Sequence, residues 1–517
     1  MSRMKQAAEA AQSRAKQHTS AAVRITMLGV SLLLQIALLA GVFVLFRKQF
    51  NFFYGACEIL SLFVVLYIIR EDSNPTYKLP WIILNLTLPI LGGLTYLMFG
   101  RVRFSRGERR RGVEIAQCYL DAARIRPGVT ERVPPEYRTE CCYLRNRAAA
   151  PAYDHTDVTF YSEGETFWRA MLEELKKAER FIFLEYFIIA PGAMWDSILD
   201  ILKEKVRAGV DVRVIYDDIG CIGRLPSDYA AQLERAGIRC LTFNRFTNIF
   251  SSRFNNRDHR KICVVDGNVG FTGGVNLADE YINAVERFGY WKDTAVRLRG
   301  DAVWSLTAMF LALWDFERRQ REDPAQFAPT VRSSSGGFVQ PYNDIPLDRE
   351  YVGETVYRNI LNHARDYVYI TTPYLIIDNV MITALTTAAK SGVDVRIIMP
   401  GIPDKKLVYT LSRSYYGVLM AAGVKIYEYT PGFIHAKEFV ADDRCAVVGS
   451  INLDYRSLCH HFECAAWMCD VPAVMDVKKD FLETLEKCRE ITPEIYRREC
   501  NRHPLLLAVL RIFAPLM

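Results

Sequence analysis

The stretch Asn256-Arg257-Asp258-His259-Arg260-Lys261-Ile262-Cys263-Val264-Val265-Asp266-Gly267 contains the frame His-x-Lys-x-x-x-x-Asp, and the chain contains that frame twice. The second copy reads His435-Ala436-Lys437-Glu438-Phe439-Val440-Ala441-Asp442. Each copy is followed by two small residues and an asparagine: Gly273, Gly274 and Asn276, then Gly449, Ser450 and Asn452. Of the eight histidines, only His259 and His435 have a lysine two positions on. A lone His-x-Lys carries no information, because surface copies are common. Two copies with matching downstream residues mark a duplicated functional unit.

The surrounding sequence repeats with the frame. Residues 180–189 form an apolar, β-branched and aromatic run that predicts a buried strand, 197–208 have helical spacing, and 209–216 predict a second strand. The pattern returns as strand 367–372, helix 379–391 and strand 392–399. Gly-Val-Asp-Val-Arg occurs at 209–213 and 392–396, and Ala236-Gly237-Ile238 is echoed by Ala422-Gly423-Val424. Alternating strands and helices with a repeat of about 180 residues predict an α/β protein of two similar halves, 151–330 and 331–500. The stretch 319–346, with Pro324, Pro329, Gly336, Gly337 and Pro341, breaks the pattern and predicts the joint. A length of 517 residues agrees with more than one domain.

The chemistry follows from spacing. On a strand, His and Lys two apart point to one face. The aspartate lies seven positions on, roughly 23 Å along an extended strand at ~3.3 Å per residue. Asp266 and Asp442 therefore cannot hold the rings of their own frames, and Asp266-Gly267 and Asp442-Asp443 predict turns at the strand ends. The carboxylates that orient the imidazoles must come from elsewhere. Asp293, 34 residues after His259, and Glu463, 28 residues after His435, lie at corresponding places in the repeats. The expectation is that each serves the histidine of its own repeat. If the halves pack face to face about a pseudo-twofold axis, two histidines, two lysines and two asparagines converge on one phosphate. One imidazole then attacks phosphorus to give a phosphohistidine. The other protonates the leaving alcohol and later takes the proton of the incoming one. Lys261, Lys437, Asn276 and Asn452 stabilise the charge that gathers on the phosphoryl oxygens. The lysines supply the positive charge, so no metal and no cofactor is expected. Cys459, His460, His461 and Cys464 cluster, but their spacing fits no common zinc pattern.

Net charge is +6, and the excess is concentrated at Arg101, Arg103, Arg106, Arg109, Arg110 and Arg111. The thirteen cysteines show no paired spacing of a secreted disulfide framework, which places the large domain in a reducing compartment. A basic arm, 1–20, precedes three apolar stretches at 25–46, 52–69 and 81–99 inside a predicted helical membrane segment, 21–100. The five residues 47–51 suit a tight hairpin between the first two, and Pro89, Gly92 and Gly93 weaken the third. Positive flanks on both sides favour two crossings with both flanks cytoplasmic. The arginine-rich 101–150 reads as helix and then linker. The basic run reads as a site for anionic headgroups or as a topology signal. The apolar tail, 501–517, is expected either on the membrane surface or packed on the domain.

These residues resemble the phospholipase D superfamily, whose mark is two such frames in one site. The resemblance covers roughly residues 155–500. Within that superfamily, the run 256–261, Phe271-Thr272-Gly273-Gly274-Val275-Asn276, Thr372-Pro373-Tyr374 and Gly449-Ser450-Ile451-Asn452-Leu453-Asp454-Tyr455-Arg456-Ser457 are similar to bacterial cardiolipin synthases. So are the apolar stretch 75–100, with Tyr77-Lys78 and Leu91-Gly92-Gly93, and the ending Ala514-Pro515-Leu516. Gly273-Gly274 stands where the superfamily often has Gly-Ser. The resemblance implies two phospholipase D-like halves around a shared site. It also implies that two phosphatidylglycerol molecules are joined into cardiolipin with release of glycerol. It favours His259 as nucleophile and His435 as acid and base, and it counts Asp266 and Asp442 as part of the catalytic motif. It places the chain at the bacterial cytoplasmic membrane, against an anionic lipid surface, with the catalytic domain on the cytoplasmic side and the oligomeric state open. The alternatives within the fold are a phospholipase D hydrolase, another phosphatidyltransferase such as one making phosphatidylserine, and a nuclease. The apolar segment argues against nucleic acid as a partner. A non-enzymatic membrane scaffold would predict a damaged frame, and both frames are intact.

Overall fold

The computed structural model describes residues 50–71, 74–89, 92, 93, 95, 96, 100, 105–123, 128–245, 255–347 and 350–516, with Ala37 and Gly41 besides. Among them are two large mixed sheets, one per repeat. The first has the order Thr156–Tyr161, Ala295–Gly300, Val269–Gly273, Lys261–Val265, Phe181–Tyr186, Asp211–Asp217, Arg239–Phe243. The last three of these strands run parallel, and the remaining neighbours are antiparallel. The second has the order Cys488–Glu490, Lys425–Tyr429, Asp394–Pro400, Tyr367–Thr371, Glu438–Ala441, Cys445–Gly449, Glu463–Cys469, Phe338–Asp344. Apart from the extra edge strand Cys488–Glu490, it repeats the first.

Every residue of Phe181–Tyr186 is buried, because both faces of the sheet are covered. Ile182, Leu184 and Tyr186 pack with the helices Gly164–Lys176 and Ala193–Arg207. Phe181 and Phe183 join one apolar layer with Tyr369, Val440, Val448 and Ala466 of the other half. The layering is therefore helix, sheet, sheet, helix, with the second outer layer built from Val352–His363 and Asn379–Lys390. The helix after the last strand of each repeat, Val303–Arg318 and Ala473–Leu485, also packs into the shared layer.

The repeated pentapeptide has a structural reason. Gly209 (φ +88°) and Gly392 (φ +99°) leave their helices in the left-handed conformation. The Asp and Arg that follow pair along the strand, Arg213 to Asp211 at 2.8 Å and Arg396 to Asp394 at 2.6 Å. Arg213 also lies over Phe183 at 5.1 Å and Trp314 at 5.3 Å, which lets a buried guanidinium sit between the helix and the sheet.

Three expectations change. The predicted joint, 319–346, contains the strand Phe338–Asp344, which pairs along its whole length with Glu463–Cys469. Pro341 is tolerated because that strand lies at the sheet edge. The predicted linker is helical and part of the core. Arg106–Asp121 and Pro135–Ala148 bring Tyr119 against Trp304, with its hydroxyl donating to Asp315 at 2.7 Å, and Tyr137 against Trp467. Arg111 of the basic run stacks 4.6 Å over Phe316 and donates to its carbonyl, so it fastens this helix to the first half. Arg101 and Arg103 lie outside the described residues.

The third change concerns the membrane segment. The arm 1–20 and the stretch 25–46, apart from Ala37 and Gly41, lie outside the described residues. The second stretch forms Phe50–Arg70, and the third begins as the short helix Pro75–Thr87. Among the described residues no helix is long and apolar enough to cross a membrane, so the expected two crossings gain no support there. The two helices pack on each other. Ser61 donates to the Asn85 carbonyl at 2.8 Å, and Trp81 meets Tyr96 edge-on at 5.5 Å. Tyr77 ties the second helix to the other end of the chain through Tyr455, at 5.0 Å, and His460, at 5.9 Å.

Asp266 (φ +54°) and Asp442 (φ +53°) occupy the hairpin turns foreseen for them. Asp266 accepts from the backbone amides of Glu179, Arg180 and Phe181 at 2.7–2.9 Å. Asp442 accepts from Arg365, Asp366 and Tyr367 at 2.7–3.0 Å. Each carboxylate thus pins the start of the central strand, at the end of the sheet away from its histidine. These contacts fit the supporting role that strand length suggests for both aspartates. Asp266→Ala is expected to cost about 1–3 kcal/mol of stability, because three charge-assisted bonds are lost at a partly exposed site. Thermal unfolding should show the loss, while the turnover rate of the folded fraction stays within about threefold of the parent. A collapse of turnover without loss of stability would restore a chemical role.

Candidate active site

Each histidine lies just before a central sheet strand, with Lys261 opening Lys261–Val265 and Lys437 directly preceding Glu438–Ala441, and each histidine is fixed by the opposite half. The His259 backbone N–H donates to the Phe462 carbonyl at 2.9 Å, and that of His435 donates to the Lys292 carbonyl at 2.7 Å. Tyr290–Lys292 and Gly432–Ile434 form a small parallel sheet across the halves, and Asp258 bridges to Phe462 in the same sense on the other side. These two seams bring both frames to one place.

The seams also decide which carboxylate meets which ring. His259 Nδ1 lies 2.9 and 3.0 Å from the two oxygens of Glu463, and His435 Nδ1 lies 2.6 Å from Asp293 Oδ2. The sequence reading paired each carboxylate with the histidine of its own repeat, and the structure crosses the pairs. The residues are those expected, but parallel pairing across the seam sets Glu463 opposite His259 and Asp293 opposite His435. With Nδ1–H donated to a carboxylate, each ring presents the lone pair of Nε2.

Burial governs the charges. It pushes His259 down to about 3 against the pull of Glu463, and His435 down to about 4, with the Lys437 charge acting in the same direction. Burial opposes ionisation of Glu463, yet the facing His259 holds it below the usual carboxylate range; Asp293 is held low in the same way by His435 and Lys437. The pairs are therefore neutral imidazole with charged carboxylate. Burial lowers Lys261 to about 8 and Lys437 to about 7, with nearby carboxylates opposing. Each lysine donates to the carbonyl of its own histidine, Lys261 also lies 5.6 Å from the Phe187 ring centre, and Lys437 feels the charge of Lys261.

The asparagines differ. Asn276 accepts from Ile188 N at 3.0 Å and donates to the Tyr281 hydroxyl at 2.8 Å, so its carboxamide is largely engaged within the protein. The carboxamide oxygen of Asn452 is buried with no hydrogen-bond partner among the described residues. The small-residue pairs also differ for a steric reason. A Cβ on Gly274 would lie 2.0 Å from Asp293 Oδ1, whereas Ser450 has room to donate its hydroxyl to Glu463 Oε2.

Several neighbours of the rings went unrecognised in the sequence. Trp291 (5.4 Å), Tyr281 (5.5 Å) and Phe433 (5.8 Å) surround His435, while Phe187 (5.0 Å) and His461 (5.7 Å) flank His259. Strand parity carried a signal for two of them. Trp291 precedes Asp293 by two residues and His461 precedes Glu463 by two, which places each on its carboxylate's face. Beneath the frame, Arg260 pairs with Glu185 at 2.6 Å and Asp258 at 3.2 Å, and Asp217 accepts from the Asp258 amide at 3.0 Å. Around Lys437, Glu438 is pushed up to about 8, mainly by burial, and accepts from Thr371 and Thr294.

His259, His461 and Glu463 place ligand-type atoms within 4.8 Å of one another, and His259 Nδ1 is hydrogen-bonded to Glu463. The residues named for a conceivable metal cluster separate: Cys459 meets Tyr77, and Cys464 meets Thr272 at 3.3 Å.

Two α/β halves that share one pair of carboxylate-bound imidazoles and two buried lysines define a phospholipase D-like protein. The sequence profile described as "Cardiolipin synthase, PLD-like domain" matches residues 171–288 and 357–485, and "Phospholipase_D-nuclease N-terminal" matches 59–101. The chain is 33% identical to a cardiolipin synthase of Geobacillus kaustophilus over 89% of its length and 93% of that protein. It is 33% identical to cardiolipin synthase 2 of Bacillus cereus over 87% of its length and 88% of that protein. An uncharacterized protein of Streptococcus mutans is 47% identical over 88% of this chain and 99% of that one. The crystal structure of a phosphatidylserine synthase from Haemophilus influenzae shares the fold, with a TM-score of 0.55 and 15% identity over 74% of this chain and 97% of that one. The chain belongs to the cardiolipin synthase family of phospholipase D-like proteins.

The Gly274 contact makes a sharp test. Gly274→Ala forces Asp293 aside and unmoors His435, so kcat should fall by about 10²-fold or more with the fold retained. Ser450→Gly removes one hydrogen bond and leaves room, and should cost about tenfold or less. Equal, mild effects from both would mean that Asp293 does not position the ring.

Proposed function

We propose that the chain transfers a phosphatidyl group from one phosphatidylglycerol to a second, giving cardiolipin and glycerol through a phosphohistidine. The observation that carries this reading is the crossed pairing of two neutral imidazoles with two carboxylates, joined by membership of the cardiolipin synthase family. His259 Nε2 attacks phosphorus, and the bond to the headgroup glycerol breaks. Binding of the anionic phosphate draws a proton from solvent onto His435 Nε2, with Asp293 stabilising the imidazolium, and His435 delivers that proton to the glycerol oxygen. The hydroxyl of a second phosphatidylglycerol then returns its proton to His435 and attacks the adduct, which frees His259. Glu463 and Asp293 stabilise whichever ring becomes cationic. Lys261, Lys437 and the carboxamide of Asn452 hold the phosphoryl oxygens, and Asn276 supports that wall through Tyr281.

The direct experiment gives the purified protein phosphatidylglycerol alone and reads the lipids by mass spectrometry. Cardiolipin with equimolar glycerol is expected, and phosphatidic acid as sole product would make the chain a hydrolase. In His435→Asn a phosphorylated peptide containing His259 should accumulate; an adduct on any other residue would reassign the nucleophile.

The lysines set the pH response. Their cationic forms exist below about 7 and 8, and binding of the phosphate requires them. The value of kcat/KM, which reports the free enzyme, should fall with rising pH from about 7 and more steeply beyond about 8. At saturating lipid the bound anion raises both lysines, so kcat should stay level to higher pH. A kcat/KM that is flat to pH 9 would remove the lysines from phosphate binding.

A further inference from the structure

Among the described residues, exposed large apolar side chains concentrate near the two ends of the chain. The C-terminal helix Pro504–Phe513 exposes Leu505 (84%), Leu506 (53%), Val509 (49%) and Ile512 (38%). Its other side is held to the second half: Leu507 is buried, Leu510 packs on the core, and Arg511 donates to Ser414 Oγ at 3.0 Å and lies 4.6 Å over Tyr415. The exposed residues recur at the spacing of one helical face. The helix Pro75–Thr87 contacts this helix and exposes Leu79, Ile83 and Leu86 at the same spacing. Residues more than 400 positions apart in sequence thus contribute neighbouring apolar faces. A cationic border adjoins them. Arg497, Arg498, Arg502 and His503 are exposed just before the C-terminal helix, and among the described residues Arg497 pairs with Glu494 and Arg498 with Glu499.

An apolar helical face bordered by arginines is the composition of an interfacial helix on an anionic bilayer. We propose that Pro504–Phe513 docks on such a bilayer, with Leu505, Leu506, Val509 and Ile512 in the acyl boundary beside Leu79, Ile83 and Leu86, and with Arg497, Arg498 and Arg502 on lipid phosphates. The proposal rests on the lipid-substrate reading but assigns the contact to a surface outside the histidine site. Because the helix is fastened to the second half through Arg511 and Ser414, its docking fixes the distance of the catalytic body from the lipid.

The test uses the full chain on phosphatidylcholine vesicles, with and without phosphatidylglycerol, carrying a photoactivatable lipid. Labelled peptides are mapped by mass spectrometry. Adducts at 505–512 that increase with phosphatidylglycerol are expected, and labelling confined to 52–88 would overturn the proposal. This readout needs no turnover, so it stands apart from the outcome of the lipid-product assay. Replacing Arg497, Arg498 and Arg502 by Gln should reduce the phosphatidylglycerol dependence of labelling by about tenfold. The triple variant Leu505→Glu, Leu506→Glu, Val509→Glu should lose about tenfold or more in rate on vesicles and stay within about twofold on monomeric short-chain phosphatidylglycerol. Equal losses on both substrates would reject docking. If a second copy of the chain covers this face instead, peptides 505–512 stay unlabelled and the triple variant converts a dimer to a monomer.

Discussion

Two buried hydrogen bonds, His259 to Glu463 and His435 to Asp293, hold the functional geometry together. Each joins a ring from one half to a carboxylate from the other, so neither half contains a finished imidazole. The cost of burying four ionisable groups is met by keeping the rings neutral and by giving each carboxylate further donors, Ser450 for Glu463 and the Thr294 amide for Asp293. Removing one member of such a buried pair typically costs about 3–5 kcal/mol, since the partner is left uncompensated. The apolar layer between the sheets and the two cross-half seams exist around these bonds and fix their length.

The pseudo-twofold arrangement is not exact where chemistry would benefit from a difference. His435 lies among Trp291, Tyr281 and Phe433, and His259 lies beside Phe187 and His461. Glycine at 274 admits the shorter aspartate close to the backbone, while serine at 450 reaches the longer glutamate. The two rings therefore sit in unlike surroundings, as the proposed division of labour between them requires.

Much of this was legible in the amino-acid string. The duplicated frame, the repeated pentapeptide and the strand at 181–186 report local rules: parity, helix ends and continuous burial. Asp266 and Asp442 were readable as turn residues because strand length alone keeps them from the rings. The crossing of Glu463 and Asp293 was not readable, since sequence distance favoured partners within a repeat and the seam that overrides it is made by backbone pairing between halves. The same limit hid Phe338–Asp344 inside a segment of Pro, Ser and Gly, hid the helix Pro135–Ala148 where a linker was read, and hid the core contacts of the arginine-rich helix before it. Those helices are recognisable by what they touch, and contacts 200 residues apart leave no periodic trace.

The crossing has a consequence for ancestry. A single repeat placed beside an identical copy, related by rotation through half a turn, would present its carboxylate to its neighbour's ring and receive the neighbour's in return. The present chain has the form such a homodimer would take if its single gene were duplicated and the two copies fused. Copies joined in this way could drift apart in sequence while remaining obliged to complete one another.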